Sequence, residues 1–111
     1  MTLSLEYIEK ELLEAGDQVI PGKLANYRLY LSAIHSLRAG EMQKILAVKP
    51  RLWLDIREHK NSDKATDREW QATELGKEET RLKWELKRID KLSSAISSKI
   101  QVAHDEARNL S

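Results

Sequence analysis

Residues 72–110 read ATELGKEETRLKWELKRIDKLSSAISSKIQVAHDEARNL. Within them Ala72, Leu75, Glu79, Leu82, Leu86, Ile89, Ser93, Ile96, Ile100, Ala103, Ala107 and Leu110 recur at alternating steps of three and four, and no proline interrupts them. That is the spacing of a heptad seam, one stripe of a long helix laid against other helices. Upstream, the KNSD run at residues 60–63 is a break, and Asn61 or Ser62 can cap the helix that starts there. The helix is therefore expected over residues 63–110, roughly 70 Å at 1.5 Å per residue. A helix of that length predicts an extended coiled coil or a hairpin. Gly76 is its weak interior position.

The seam needs a partner, and residues 24–49 supply one. Leu24, Tyr27, Leu31, Ile34, Arg38, Glu41, Ile45 and Val48 repeat the same three-and-four spacing. Gly40 inside this helix costs about 1 kcal/mol against alanine without stopping it. Pro50 is expected to end or kink the helix, because it lacks an N–H and crowds the preceding turn. It equally suits the first position of a short helix carrying Leu52, Trp53 and Ile56. Residues 50–62 then form a corner, and pairing about that corner sets Glu41 near Glu79, with Arg38 within a turn to neutralise them, and Tyr27 near Ser93.

A first helix occupies residues 1–16. Thr2 or Ser4 can cap it, Glu6 suits its dipole, and Leu5, Ile8, Leu12 and Ala15 share a face. Gly16 is a natural stop, and residues 17–23, with Pro21 and Gly22, are a connector. This helix is expected to fold over residues 100–110. The fold class is all-α: one helical domain built as a long antiparallel hairpin with a short N-terminal helix. A heptad seam is equally satisfied within a hairpin and between chains, so dimerisation into a bundle stays open.

Composition narrows the function classes. The 111 residues are 41% apolar and 33% charged, with net charge +1, which by itself calls for neither nucleic acid nor membrane. The distribution is uneven. Residues 1–17 carry five acids and one lysine, residues 18–60 eight bases and three acids, and residues 61–111 ten of each. There is no cysteine, which removes disulfide and thiol chemistry and fits a cytoplasmic protein. No apolar run approaches the roughly 20 residues that span a bilayer, and the acidic N-terminus is unlike a secretory signal.

Two surfaces stand out. Trp70 and Trp84 lie 14 residues apart, at one heptad position on the reverse of the seam, among Lys77, Arg81, Lys87, Arg88 and Lys91. Each tryptophan carries about 150–250 Å² of surface, so water is a poor place for it. The plainer reading is cover by the Trp53 segment, the first helix or a second copy of the chain. The sharper one is a stacking platform for single-stranded nucleic acid, which the interspersed Glu74, Glu78 and Glu85 oppose. The second surface is the corner KPRLWLDIREHK, where Lys49, Arg51, Arg57 and Lys60 surround Trp53. A basic tip can meet phosphate or an acidic partner, and it can equally be a solvated end of the core.

Catalytic and cofactor patterns are missing. His35, His59 and His104 are widely spaced, and the best ligand group that can be assembled, His59 with Asp63 and Asp67, reads more simply as surface charge and helix-start acidity. No glycine-rich phosphate loop or serine nucleophile motif is present. The expectation is no enzyme, no cofactor, no metal and no small-molecule substrate.

One resemblance rests on particular residues: Pro50, Arg51, Leu52 and Trp53; Ile56 and Arg57; Lys60, Asn61, Ser62, Asp63 and Lys64; Trp70, Gln71, Ala72, Thr73, Glu74, Leu75 and Gly76; and Glu106, Ala107, Arg108, Asn109 and Leu110. In these the chain resembles small helical proteins encoded by bacteriophages and prophages, often beside replication and recombination genes. The resemblance covers about two thirds of the chain and does not extend to the first 45 residues. It implies an accessory protein in the host cytoplasm and carries no site to transfer. The expectation is a protein-binding, non-enzymatic helical protein, itself a homodimer, with Trp53, Trp70, Lys77, Arg81, Trp84, Arg88 and Lys91 at its interface. Single-strand DNA binding through Lys49, Arg51, Arg57, Lys60 and Lys87 is one alternative. Inhibition of a host defence nuclease is another.

Overall fold

The computed structural model describes residues 3–15, 18–19 and 21–110, apart from the side chain of Leu110. Four helices run in order: α1 (Leu5–Ala15), α2 (Pro21–Arg57), α3 (Asp63–Ala72) and α4 (Glu74–Leu110). The described residues contain no strand, and no helix among them is long and apolar enough to cross a membrane. The fold is an all-α helical hairpin in which α2 and α4 pack against each other. The chain divides into two compact units: unit 1, Met1–His35 with Lys87–Ser111, and unit 2, Ser36–Leu86.

In unit 1, α1 and parts of α2 and α4 share one core of Leu5, Ile8, Val19, Leu24, Tyr27, Leu31, Ile89, Leu92 and Ile96. Ser4 caps α1: its Oγ accepts the Tyr7 N–H at 3.1 Å, and its carbonyl accepts from Ile8. Thr2 and Gly16, the other candidate cap and the candidate stop, lie outside the described residues. The Tyr7 and Tyr27 rings meet edge to face, 6.2 Å between centroids at 81°. Burial, with help from Tyr7, pushes the Tyr27 hydroxyl up to about 12. Arg88 holds α1 from outside, donating to Glu9 at 2.9 Å and to Glu6 at 3.2 Å. The first helix thus shares its core with Ile89, Leu92 and Ile96 of α4, with Ile100 packed against that core, so the cover expected over residues 100–110 stops short of residues 104–109. Its apolar face matches the aliphatic stretch Ile89, Leu92 and Ile96, whereas residues 104–109 are exposed.

In unit 2 the core is smaller: Met42, Ile45, Trp70 and Leu82, with Trp53, Ile56 and Leu86 packed against it. Three expectations fail in this unit. Pro50 does not end α2, which continues to Arg57. The proline lies on the exposed side of the helix, where water can serve the carbonyl that loses its N–H partner. The corner is accordingly short, residues 58–62, closed by Glu58, His59 and Lys60 N–H groups donating to Leu54, Ile56 and Arg57 carbonyls.

Second, the last helix is not continuous. It breaks at Thr73, whose backbone is extended (φ −73°, ψ 160°). Ser62 opens α3, its Oγ accepting the Ala65 N–H at 3.1 Å. Thr73 closes α3 and opens α4 with one hydroxyl, which donates to the Trp70 carbonyl at 2.6 Å and accepts the Gly76 N–H at 3.0 Å. Gly76 is not a weakness in this arrangement. A Cβ there would lie 1.8 Å from the Trp70 carbonyl oxygen, so the start of α4 can sit against the end of α3 only with glycine.

Third, the pairing register differs. Glu79 faces Lys49, eight residues beyond the expected Glu41. Arg38 neutralises Glu41 and Glu85, at 3.0 and 2.8 Å, and not Glu79. The cause is the extra length of α2 and the folding of residues 63–72 into a helix of their own.

Candidate functional site

The chemistry of unit 2 is concentrated around Glu79, a carboxylate only 4% exposed on the seam face of α4. Lys49 Nζ donates to both its oxygens at 3.1 and 3.0 Å, and Trp70 Nε1 donates to Oε1 at 3.0 Å. Lys49 Nζ also stands 5.5 Å from the centre of the Trp70 ring, a cation–π contact. Burial works against the Glu79 charge, but the indole N–H and the ammonium outweigh it and hold the carboxyl below its ordinary value. α2, α3 and α4 each contribute one residue to this cluster. Its groups satisfy one another, so it fixes the position of α3 and offers no free acid, base or nucleophile.

The three tryptophans have separate fates. Trp70 is 2% exposed and belongs to the core. Trp53 is half-buried and donates Nε1 to Asp67 Oδ1 at 2.8 Å, joining α2 to α3. Trp84 is 67% exposed. Trp70 and Trp84 therefore do not share a face. The break at Thr73 interrupts the heptad count that related them, and cover for Trp70 comes from within unit 2.

The basic residues also divide. Arg81 donates to Glu78 and Glu85, and the Glu78 hydrogen bond raises its pKa further. Arg88 is engaged by Glu6 and Glu9. Lys77, Lys87 and Lys91 are exposed along α4, Lys77 standing 3.9 Å from Glu74. At the corner, Lys49 is taken by Glu79, Arg57 by Asp63 Oδ1 (2.8 Å) and the Lys60 carbonyl (2.7 Å), and Lys60 lies 3.7 Å from Glu69. Arg51 is exposed. Asp63 and Asp67, weighed with His59 as metal ligands, accept from Arg57 and Trp53 instead.

Periodicity alone gave no notice of the apolar surface on the second half of α2. Leu46, Val48, Leu52 and Leu54 are all substantially exposed, as is Leu75 at the start of α4. Two apolar grooves result. One, of about 380 Å³, is bounded by Lys49, Pro50, Trp53 and Leu54. The other, of about 340 Å³, lies between α2, α3 and α4. A signal existed: apolar residues between 45 and 56 occupy nearly the whole circumference of a helix, more than one packing face uses. Compared with protein-family models, with curated proteins and with solved structures, the chain matches none.

Proposed function

We propose that this chain is a non-enzymatic accessory protein that works by binding another protein, through the side of α4 that carries Lys77 and Trp84. The observation that supports it is the exposure of Trp84. Two thirds of a tryptophan left in water forgoes about 3 kcal/mol of burial energy, which a partner would recover. Trp53 and Trp70 are spent inside unit 2, and Lys77 stands at a loose 3.9 Å from the exposed Glu74. The resemblance to phage-encoded helical proteins supplies the setting, a mobile-element protein acting on a host or phage complex in the cytoplasm. A second copy of the chain is the first partner to consider. A host defence nuclease is another of the same kind.

Single-strand DNA binding has less to stand on, because Lys49 and Arg57 are committed to carboxylates of the chain itself. The test compares wild type with Trp84→Ala, by mass in solution and by capture from host lysate with and without nuclease treatment. A complex that resists nuclease and falls at least tenfold in the variant is the expected result. Unchanged mass together with unchanged capture defeats the proposal, and a haul that disappears with nuclease transfers support to the DNA reading.

A further inference from the structure

We infer that the groove between α2, α3 and α4 in unit 2 is a docking site for a cationic amphipathic helix of another protein. Leu52 and Ile56 of α2, Trp70 of α3 and Leu75 of α4 line it, together with the carboxylates Asp55 and Glu74. Its volume, about 340 Å³, suits one or two large apolar side chains. Leu52 and Leu75 are 36% and 37% exposed, so the lining is open to a visitor.

The charges say what kind of visitor. Elsewhere in unit 2 carboxylates have partners: Asp63 is held by Arg57, Glu78 by Arg81, Glu79 by Lys49 and Glu85 by Arg38, and Asp67 accepts from the Trp53 indole. Among the described residues Asp55 and Glu58, one turn further on, have no ion pair or side-chain hydrogen bond. The Glu74 side chain is 96% exposed, and its nearest cation is Lys77 at 3.9 Å. The groove is thus lined by one carboxylate without a cation, Asp55, and one held only loosely, Glu74. A helix laid in a groove reads as apolar anchors one turn apart. Carboxylates on the rim select lysine or arginine beside those anchors and reject acidic helices and phosphates.

This inference does not rest on the Trp84 reading, since Trp84 does not line the groove. The test uses the full chain and a synthetic 15-residue helical peptide with leucines at i, i+4 and i+7 flanked by lysines. Its control carries glutamate at each lysine position. Calorimetry is expected to show binding of the lysine peptide and at least tenfold weaker binding of the glutamate peptide. Asp55→Lys, at an exposed helical position away from the α4 cap, is expected to weaken the lysine peptide about threefold to tenfold, and Asp55→Lys with Glu74→Lys more than tenfold. Reversal of the exposed acids Asp105 and Glu106, and Trp84→Ala, leave it unchanged. Equal binding of the two peptides, equal loss on the Asp105 and Glu106 reversals, or no binding of the lysine peptide overturns the inference.

Discussion

Unit 1 and unit 2 solve the same packing problem with different chemistry. Unit 1 closes an aliphatic core with three tyrosines, Tyr7, Tyr27 and Tyr30, and its ion pairs, such as Arg88 with Glu9, stay at the rim. Unit 2 has fewer apolar core residues and builds around a buried carboxylate, an indole N–H and an ammonium. Aliphatic packing is non-directional and tolerant of repacking. A buried polar cluster has to be made whole, because each unpaired member is costly. Unit 2 therefore sets the place of α3 through specific contacts, and leaves Leu46, Val48, Leu52, Leu54, Leu75 and Trp84 outside. The less apolar core accompanies the more apolar surface.

The contrast can be broken in order of effect. Leu31 is fully buried in the unit 1 core, so Leu31→Ala is expected to lower stability by about 3–4 kcal/mol, read from urea melts followed by circular dichroism. A loss below about 1 kcal/mol would mean that the unit 1 core is not the main aliphatic support. Next comes Gly76→Ala, expected to cost about 2–3 kcal/mol because its methyl collides with backbone. The same change at Gly40, where a methyl meets nothing within 4 Å, should stabilise by up to about 1 kcal/mol. Identical signs at the two sites would remove the case for close α3–α4 contact.

The smallest of the destabilising effects is at the polar cluster. Glu79→Gln keeps the shape and removes the charge, at an expected cost of about 1–2 kcal/mol near neutral pH. Because folding lowers the Glu79 pKa, its contribution is present above the ordinary carboxylate value and is lost as pH falls through the folded value. The gap between wild type and Glu79→Gln should accordingly narrow on acidification. A gap that is constant with pH would show that the charge contributes nothing and only shape matters.

Much of the scaffold was legible in residue spacing. Ile45, Leu82, Ile89 and Ile96 are buried, as the two seams require, and Ser62 starts a helix where KNSD implied one. What misled was local chemistry overruling periodicity. The stripe continues through Ala72 and Leu75 without a slip, yet Thr73 can satisfy the last carbonyls of one helix and the first N–H groups of the next, and Gly76 lets them meet. A threonine ahead of an acidic first turn is a start signal in its own right. Pro50 deceived in the opposite sense, since a proline on the wet side of a long helix is tolerable. The candidate site was half legible. Trp84 lies on the reverse of the seam, where the heptad count put it, but the cover expected from the Trp53 segment or the first helix is not there, and the groove depends on a fold-back of α3 that no spacing announced.

The division of labour between the units extends to their aromatic residues. Tyr7, Tyr27 and Tyr30 all belong to unit 1, Trp53, Trp70 and Trp84 all belong to unit 2, and phenylalanine is absent. The chain is thus optically labelled by its own composition. Emission excited at the red edge of the absorption band reports on unit 2, while tyrosine absorbance reports on unit 1. Two denaturation curves can be followed in one sample, and their coincidence or separation tells whether the units melt as one cooperative body or in sequence.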